Sequence, residues 1–323
     1  MINLDDIEIV GAGLNRPECV LCTSDGSRYT SDWRGGVCKT AIDGSQELFL
    51  ANSGQSHSQP PMQPNGIALM KDGSFLLANL GEEGGVWRLW RNGDLEPVLT
   101  EIKGKKMPPS NFVMVDRLGR FWITVSTTRT PRALGYRKDV ADGFIVVLDE
   151  QGPRIVAEGL GYTNEALFDA GMEWLYVNET FARRLSRFRV RDDGTLFDRE
   201  TFFEFGAGTF PDGLGFDESG GVWVVSIVSN RVLRLSPTGK CDVIVEDANT
   251  LHLEEVELAY QNGTMGRPHL DNISSQKLRN ITSIAFGGEG RRTAWLGCLL
   301  GSGLARFESP WAGIRPVHWH WNF

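Results

Sequence analysis

Short apolar stretches separated by polar turns recur along this chain, and one unit of this pattern repeats. The unit has a polar residue, an apolar strand, an Asp-Gly or similar turn, and further apolar strands. It is clearest from Pro64, in PNGIALMKDGSFLLANLGEEGGVWRLWRNG. Apolar runs of this length, bounded by Gly and Asp, are typical of β-strands joined by tight turns. The pattern therefore predicts an all-β protein.

Six copies of the unit occur, and each begins beside one polar residue, which we call the tip residue. The tip residues are separated by 47, 46, 53, 48 and 70 positions. A period near 50 with about four short strands per unit is typical of propeller blades. We therefore predict a single six-bladed β-propeller domain over residues 1–323, with these tips: Glu18, Asn65, Asn111, Asn164, Asp212 and Thr282.

The first strand of the chain resembles the outer strand of a blade. The stretch IVGAGLNRPE before the first unit parallels IVAEGLGYTN before the fourth. Such a strand would complete the last blade and close the ring, which protects the edges of an open sheet. The tail GIRPVHWHW competes for the same position, and the pattern leaves both possibilities open. In a terminal strand, His318 and His320 would share one face.

The last interval between tips is longer than a normal blade by roughly 20 residues. It contains NTLHLEEVELAYQNG, in which Asn249 or Thr250 is a suitable N-cap for a short helix. This segment, residues 249–273, is either a surface excursion without a function or a lid over the channel. The lid is plausible because loops carried by a rigid scaffold often serve binding, but the sequence leaves both interpretations open.

Composition and charge narrow the possible partners. The net charge of −8 argues against nucleic acid and anionic membranes, because both require a basic surface. No window has the apolar length of a membrane span, and the first residues lack the basic region of a signal peptide. The five cysteines form no disulfide framework, so we expect a cytoplasmic protein in which Cys19 and Cys22 are ordinary buried thiols.

The tip residues carry the candidate chemistry. In a propeller the first strand of each blade lines the central channel, so the six tips converge although they are distant in sequence. All of them offer oxygen donors, which suits a hard divalent cation such as Ca²⁺, with Mg²⁺, Mn²⁺ or Zn²⁺ as alternatives. Asn65-Gly66 and Asp212-Gly213 would also fit ordinary turns. A buried Glu18 does not, because an unpaired carboxylate in a channel is costly.

The tips and their flanking residues resemble the regucalcin (senescence marker protein)/gluconolactonase family of six-bladed propellers. The resemblance covers nearly the whole chain and is carried by PEC, SNFVMVDRLGRFW, TNEALF, FPDGLGFD and NITSIAFGG. It implies one divalent metal bound by Glu18, Asn164 and Asp212. It also implies that Asn111 contacts substrate or coordinated water, and Asn65 matches an Asn of the bacterial gluconolactonase-like members.

The third unit departs from the family pattern. An Arg that helps to hold sugar lactones in many members is replaced by Pro109, and the usual Asn-Asp-Gly becomes Asn111-Phe112-Val113. We expect a less polar pocket, in which an unsubstituted or aromatic lactone reacts at least as well as a sugar lactone. The alternative is that Arg129 or Arg132, in the following loop, replaces the missing cation and restores sugar specificity.

The predicted activity is metal-dependent hydrolysis of a small lactone or related ester. The cation would polarise the carbonyl, Asp212 would act as base, and Asn111 would orient substrate. His57 precedes Asn65 on a loop that leads into the channel and could assist proton transfer. Two alternatives remain: an arylesterase of paraoxonase type or a strictosidine-synthase-like enzyme on the same scaffold, and a non-catalytic binding propeller. The pattern does not indicate an oligomeric state.

Overall fold

The strands of this chain form six four-stranded antiparallel sheets, arranged as the blades of a β-propeller. The computed structural model describes residues 1–52, 62–272 and 274–323. In each blade the first strand is innermost, and the inner strands of neighbouring blades adjoin around a central channel. We call the face where the inner strands begin the tip face, and the opposite face, where they end, the far face.

The blades follow one another along the chain, with a small hairpin between the second and third. Blade 1 comprises Val20–Cys22, Arg28–Asp32, Gly36–Thr40 and Gln46–Leu50, and blade 2 comprises Pro64–Leu69, Phe75–Asn79, Val86–Leu89 and Leu95–Leu99. The small hairpin is formed by Glu101–Ile102 and Lys105–Lys106. Blade 3 comprises Phe112–Val115, Phe121–Val125, Gly143–Asp149 and Gly152–Leu160. Blade 4 comprises Thr163–Phe168, Trp174–Glu179, Arg184–Val190 and Leu196–Glu204. Blade 5 comprises Phe210–Phe216, Val222–Ile227, Arg231–Leu235 and Cys241–Glu246. Blade 6 comprises Ile281–Gly287, Thr293–Cys298, Leu304–Glu308 and Glu8–Val10.

The ring is closed by the first strand of the chain. Glu8–Val10 pairs antiparallel with Leu304–Glu308 as the outer strand of blade 6. The predicted competition is therefore decided in favour of the first strand. The tail forms a turn instead of a strand around His318 and His320, so the expectation of a terminal strand there is wrong.

The tail crosses the far face because its backbone finds partners at the ends of the blades. Ile314 N donates to Phe216 O at 2.9 Å, and Ser24 N donates to Trp319 O at 2.7 Å. These bonds satisfy backbone groups that no strand pairing would satisfy. As a result, the tail borders the far end of the channel.

Buried aspartates, Asp116 and Asp217, hold the turns between the first two strands of blades 3 and 5. Asp217 accepts hydrogen bonds from Trp223 Nε1 at 2.8 Å and from Arg234 Nε at 2.7 Å. Its side chain is completely buried. Fully paired carboxylates of this kind stabilise the turn without leaving a buried charge unsatisfied. They fix the far face on which the inner strands end.

Aromatic side chains join one blade to the next. Trp122 and Trp223 are almost fully buried. Trp122 packs edge to face against Phe168 of blade 4, and Trp223 packs against Phe286 of blade 6, with ring centroids 5.1 and 5.2 Å apart. Such pairs contribute about 1 kcal/mol beyond their area burial, which favours one fixed arrangement of the blades.

The predicted helix lies between blades 5 and 6. Helix α1, Thr250–Gln261, has Asn249 as its N-cap, whose side chain accepts a hydrogen bond from His252 N. A short helix α2, Pro268–Asp271, follows it. The other helical elements within the described ranges are 3₁₀ turns at Leu4–Asp6, Arg132–Gly135 and Glu289–Arg291.

Two further expectations concern membranes and cysteines. No helix within the described ranges combines the length and apolarity needed to cross a bilayer. Cys19 and Cys22 are both buried free thiols, and they belong to different apolar clusters. This agrees with side chains on opposite faces of one strand segment.

Candidate functional site

All six tip residues are buried at the tip face, where the inner strands begin. Each is at most 7% exposed. Hydrogen bonds between the first and last blades bring together tips that are distant in sequence. Thr282 Oγ1 donates to the backbone oxygen of Glu18 at 2.7 Å, and Ser283 Oγ donates to the same oxygen at 2.6 Å. The backbone of Glu18 is thereby held at the point where the ring closes.

Asn65 and Asn111 are joined directly. The Asn65 amide donates to the backbone oxygen of Asn111 at 3.0 Å and to its side-chain oxygen at 3.4 Å. Asn65 Oδ1 is buried and has no hydrogen-bond partner within the described residues. An unpaired buried acceptor is costly unless a ligand, ion or water satisfies it.

Asn164 is oriented by Thr180, which directly follows the second strand of blade 4. Its amide nitrogen donates to Thr180 Oγ1 at 3.0 Å. Because the nitrogen is used in this bond, the amide oxygen is the group left for a ligand. Asn164 thus presents an acceptor beside the carboxylates of the site.

Three buried carboxyl groups near the start of the inner strands interact through their charges: Glu18, Glu165 and Asp212. Burial raises the pKa of Asp212 well above its usual range, and the charges of Glu18 and Glu165 raise it further. Burial likewise raises the pKa of Glu165 to about 8, and Glu18 adds to the effect. Like charges enclosed together are relieved by a proton or a cation.

Glu165 was not predicted as a site residue. Its Oε2 accepts a hydrogen bond from Leu214 N at 2.8 Å, which links blades 4 and 5. The sequence signal was a charged residue inside TNEALF, an otherwise apolar inner strand. A buried charge in such a strand indicates either a structural partner or a ligand.

Two arginines accompany the carboxylates, and neither of them is Arg129. Arg16 Nε lies 3.2 Å from Glu18 Oε2. The positive charges of Arg16 and Arg132 both act to lower the pKa of Asp212, against the larger effect of burial. Arg129 instead extends to Asp142, 3.7 Å away, and its side chain is about half exposed.

Arg132 has unused hydrogen-bonding capacity. Its Nη2 donates to Ser126 Oγ at 3.1 Å, and its guanidinium lies 5.6 Å from the ring centre of Tyr162. Its Nε is buried and has no partner within the described part of the chain. Arg132 is thus a cation of the loop after blade 3's second strand whose charge acts on Asp212.

Helix α1 packs on the tip face. Its buried residues Val256 and Tyr260 share an apolar cluster with Tyr162 and Phe210. Tyr162 and Phe210 stand two positions before Asn164 and Asp212, so the helix covers the backbone that carries these tips. The Tyr260 hydroxyl donates to Phe181 O at 2.6 Å and anchors the helix there.

The remaining histidine prediction cannot be placed in this site. His57 lies outside the described residues. Among the described histidines, His252 and His269 bond to each other through His252 Nε2 and His269 O at 3.0 Å. His318 and His320 belong to the tail on the far face. None of these four hydrogen-bonds to a tip residue.

The donor set fits a hard cation. Two carboxylates, Glu18 and Asp212, are accompanied by the amide oxygens of Asn65 and Asn164. Of these, Asn65 Oδ1 has no hydrogen-bond partner within the described residues. Within the described ranges no three His, Cys, Asp or Glu side chains form a metal-type cluster. A cation held by Glu18 and Asp212 would therefore need the amide oxygens of Asn65 and Asn164 as further ligands.

Sequence comparison finds related proteins of known class. A family model described as "SMP-30/Gluconolactonase/LRE-like region" matches residues 18–250. The 6-deoxy-6-sulfogluconolactonase of Pseudomonas putida is 28% identical over 242 residues, which cover 74% of this chain and 69% of that protein.

Solved structures share the fold at lower identity. A gluconolactonase from Xanthomonas campestris has a TM-score of 0.68 and 17% identity, with 94% of this chain and 89% of that chain covered. The calcium-binding protein regucalcin from Agrobacterium tumefaciens has a TM-score of 0.64 and 15% identity, with 98% of both chains covered. Because the family model spans well over half of the chain, from the first tip to the start of helix α1, this protein belongs to the SMP-30/gluconolactonase/LRE-like family.

Proposed function

We propose that this protein is a lactonase that holds a divalent cation, Ca²⁺, with Glu18, Asn164 and Asp212 and opens small lactones or related esters at the tip face. The observation that carries the proposal is the enclosure of Glu18 and Asp212 together: both are buried, and the charge of Glu18 raises the pKa of Asp212. The family and its gluconolactonase members support the reaction class.

Calcium is the preferred cation because the donors are all oxygens and include neutral amides. Ca²⁺ accepts six to eight such ligands and tolerates irregular geometry, whereas Mg²⁺ requires a near-ideal octahedron. Mn²⁺ and Zn²⁺ remain alternatives to be compared. The calcium-binding regucalcin of A. tumefaciens has the same fold. When bound, the cation would supply Lewis-acid polarisation of a substrate carbonyl.

The chain's own residues would position the substrate and transfer protons. Asn111, tied to Asn65 through its backbone and side-chain oxygens, would orient the lactone. Asp212 would accept a proton from the attacking water as the water oxygen bonds to the carbonyl carbon. The same proton would pass to the ring oxygen as the C–O bond breaks, which completes hydrolysis.

The substrate class follows from two opposing features. Pro109 and Phe112 provide less polarity than an Arg and an Asp would, and this favours unsubstituted or aromatic lactones. Arg132 offers an unpaired buried N–H and a positive charge near Asp212. An Arg of this kind suits an anionic or polyhydroxylated substituent. We propose Arg132, in place of Arg129, as the residue that determines how well such substituents are accepted.

The lid interpretation of residues 249–273 is retained as part of the proposal. It is supported by the packing of helix α1 on Tyr162 and Phe210, beside two tips. The cytoplasmic location is also retained, because all five cysteines are free thiols and would suit a reducing compartment.

The alternative functions have weaker support. A paraoxonase-type arylesterase would use a His dyad beside the metal, and no histidine in the described ranges hydrogen-bonds to a tip. A non-catalytic binding propeller would have no need of two enclosed carboxylates. A strictosidine-synthase-like enzyme has no specific observation in its favour.

A panel of lactones, assayed with and without a chelator, tests the proposal. Asp212→Asn should abolish both Ca²⁺ binding in calorimetry and turnover, whereas Asp242→Asn, a change of an exposed carboxylate on an outer strand, should alter neither. Full Ca²⁺ affinity in Asp212→Asn would contradict the ligand assignment. Chelator-resistant turnover would contradict metal dependence. A preference of about a hundredfold or more for glucono-1,5-lactone over unsubstituted lactones, worth roughly 2.7 kcal/mol, would contradict the less polar pocket.

A further inference from the structure

An apolar cavity occupies the channel between the tip residues and the far face. Its volume is about 190 Å³. The inner strands of all six blades contribute to its walls, for example through Val20, Leu69, Met114, Leu167, Phe216 and Phe286. An engineered cavity of roughly 150 Å³ with similar walls stays dry and takes up apolar molecules. This cavity therefore suits a hydrocarbon group.

The cavity continues into a wider, polar recess on the far face. The recess has a volume of about 660 Å³ and shares Arg117, Arg315 and Trp321 with the cavity. The shared residues make the two spaces adjoin. The turn of blade 3 supplies Arg117, and the tail that crosses the far face supplies Arg315 and Trp321.

The recess is lined mainly by cations. Lys71, Arg117 and Arg315 have no carboxylate partner among the residues that the structure describes, whereas Arg291 pairs with Glu218. Three unpaired cations at one place stand out in a protein whose net charge is −8. They would attract an anionic group and reduce its desolvation cost.

Three acidic residues, Asp116, Glu165 and Asp169, also line the cavity and offset this positive charge only in part. Asp116 is paired with Arg120 at 2.6 Å. Asp169 accepts hydrogen bonds from the backbone N–H groups of Glu173 and Trp174 at 2.9 and 3.2 Å. Both carboxylates are thus engaged in holding their own turns. The excess of cations at the mouth of the cavity remains.

We propose that the far end of the channel is a second binding site, which takes a medium-chain carboxylate with its head group at Arg117 and Arg315 and its chain in the apolar cavity. The two features are complementary to one amphiphilic anion and to no purely polar ligand. The head group of this ligand would lie on the far face, away from the tip residues, while the cavity reaches Phe112 and Glu165 at its other end. Binding of this ligand does not require lactone hydrolysis.

Calorimetric titration with hexanoate, octanoate and decanoate measures both parts of the site. One carboxylate ligand should bind per protein molecule. Each two added methylene groups should lower the dissociation constant on the order of tenfold, because each buried CH₂ increases the affinity about fourfold. Decan-1-ol and decyltrimethylammonium should bind at least tenfold more weakly than decanoate. Equal binding of the three, or no dependence on chain length, would overturn the proposal.

Variants locate the site. The double change Arg117→Gln and Arg315→Gln should weaken decanoate binding at least tenfold, whereas Lys105→Gln together with Lys240→Gln, cations away from the recess, should leave it unchanged. Leu167→Trp should block the chain portion, with unfolding temperature as the check on folding. Ala285→Leu, at another point of the wall, is the second blocking variant.

A control at the tip face separates this proposal from the lactonase proposal. Asp212→Asn should retain decanoate binding even where it loses metal binding and turnover. Decanoate affinity that falls with Asp212→Asn and stays constant in the Arg117, Arg315 and cavity variants would assign the ligand to the tip face and overturn the proposal.

Discussion

Arg16 Nε lies 3.2 Å from Glu18 Oε2, and both side chains are about nine-tenths buried. One enclosed carboxylate of the tip face therefore has a protein cation beside it. Removal of one member of a buried pair leaves an uncompensated charge, which costs about 3 kcal/mol or more. Glu18→Gln should reduce both the free energy of unfolding and the affinity for Ca²⁺.

The double variant Arg16→Met with Glu18→Gln separates these two effects. It should regain much of the lost stability, since no lone charge remains, but none of the lost Ca²⁺ affinity. Denaturant unfolding and calorimetry on the same samples provide the comparison. Recovery of Ca²⁺ binding in the double variant would mean that Glu18 acts only through Arg16.

Acid should weaken the turn that Asp217 holds. Its hydrogen bonds to Arg234, Ser219 and Trp223 lower its pKa from 3.8 to about 2, against the opposing effect of burial. The depressed folded-state pKa means that this contribution is present above pH 4 and is lost as the pH falls from about 4 to 2. The shift corresponds to about 2 kcal/mol.

The pH dependence of unfolding checks this prediction. Asp217→Asn should be less stable than the parent protein at pH 6, and the difference should shrink toward pH 2. Asp242→Asn provides the exposed-carboxylate comparison. A stability difference that is constant from pH 6 to pH 2 would show that packing, and not ionisation, accounts for the loss.

Arg132 should influence lactones that carry an anionic group. Its guanidinium lies near Tyr162 and has an unpaired buried N–H. Arg132→Met should lower kcat/KM for such lactones by tenfold or more, with a smaller change for an unsubstituted lactone. Arg129→Met is the matched control, because Arg129 pairs with Asp142. Equal effects of the two changes would remove Arg132 from the site.

The attachment of helix α1 should depend on Arg183. This side chain pairs with Glu257, and its guanidinium lies 3.9 Å from the Tyr260 ring centre and 4.3 Å from that of Phe210. Arg183→Met should increase amide hydrogen exchange of residues 250–261 at least tenfold. Exchange in blade 1, measured in the same experiment, should not change. Unchanged exchange in the helix would show that apolar packing alone holds it.

The repeat made the blades and their tips predictable from the sequence. Each tip lies at or just before the start of an apolar inner strand, and most of these strands recur at a period near 50, so the local pattern also gives the position in the ring. The N-cap at Asn249 was predictable for a similar reason, since capping depends on the residues that follow it directly.

Other features depend on contacts between distant segments and left no periodic signal. Arg132 lies near Asp212, although 80 positions separate them, and only the folded loop brings them together. The tail was predicted to form a strand because histidine and tryptophan alternate in VHWHW with the period of a strand. Backbone partners at Phe216 and Ser24 lead it across the far face instead.

The pairing of Glu8–Val10 with Leu304–Glu308 has a consequence for synthesis on the ribosome. The bond between Glu8 and Arg306 spans 298 positions. At 5–20 residues per second, the outer strand of blade 6 waits roughly 15 to 60 s for its partner to be made. During this interval the nascent chain exposes an unpaired strand edge on its earliest segment. Blade 6 therefore cannot be completed from neighbouring strands as they emerge, because its outer strand comes from the other end of the chain.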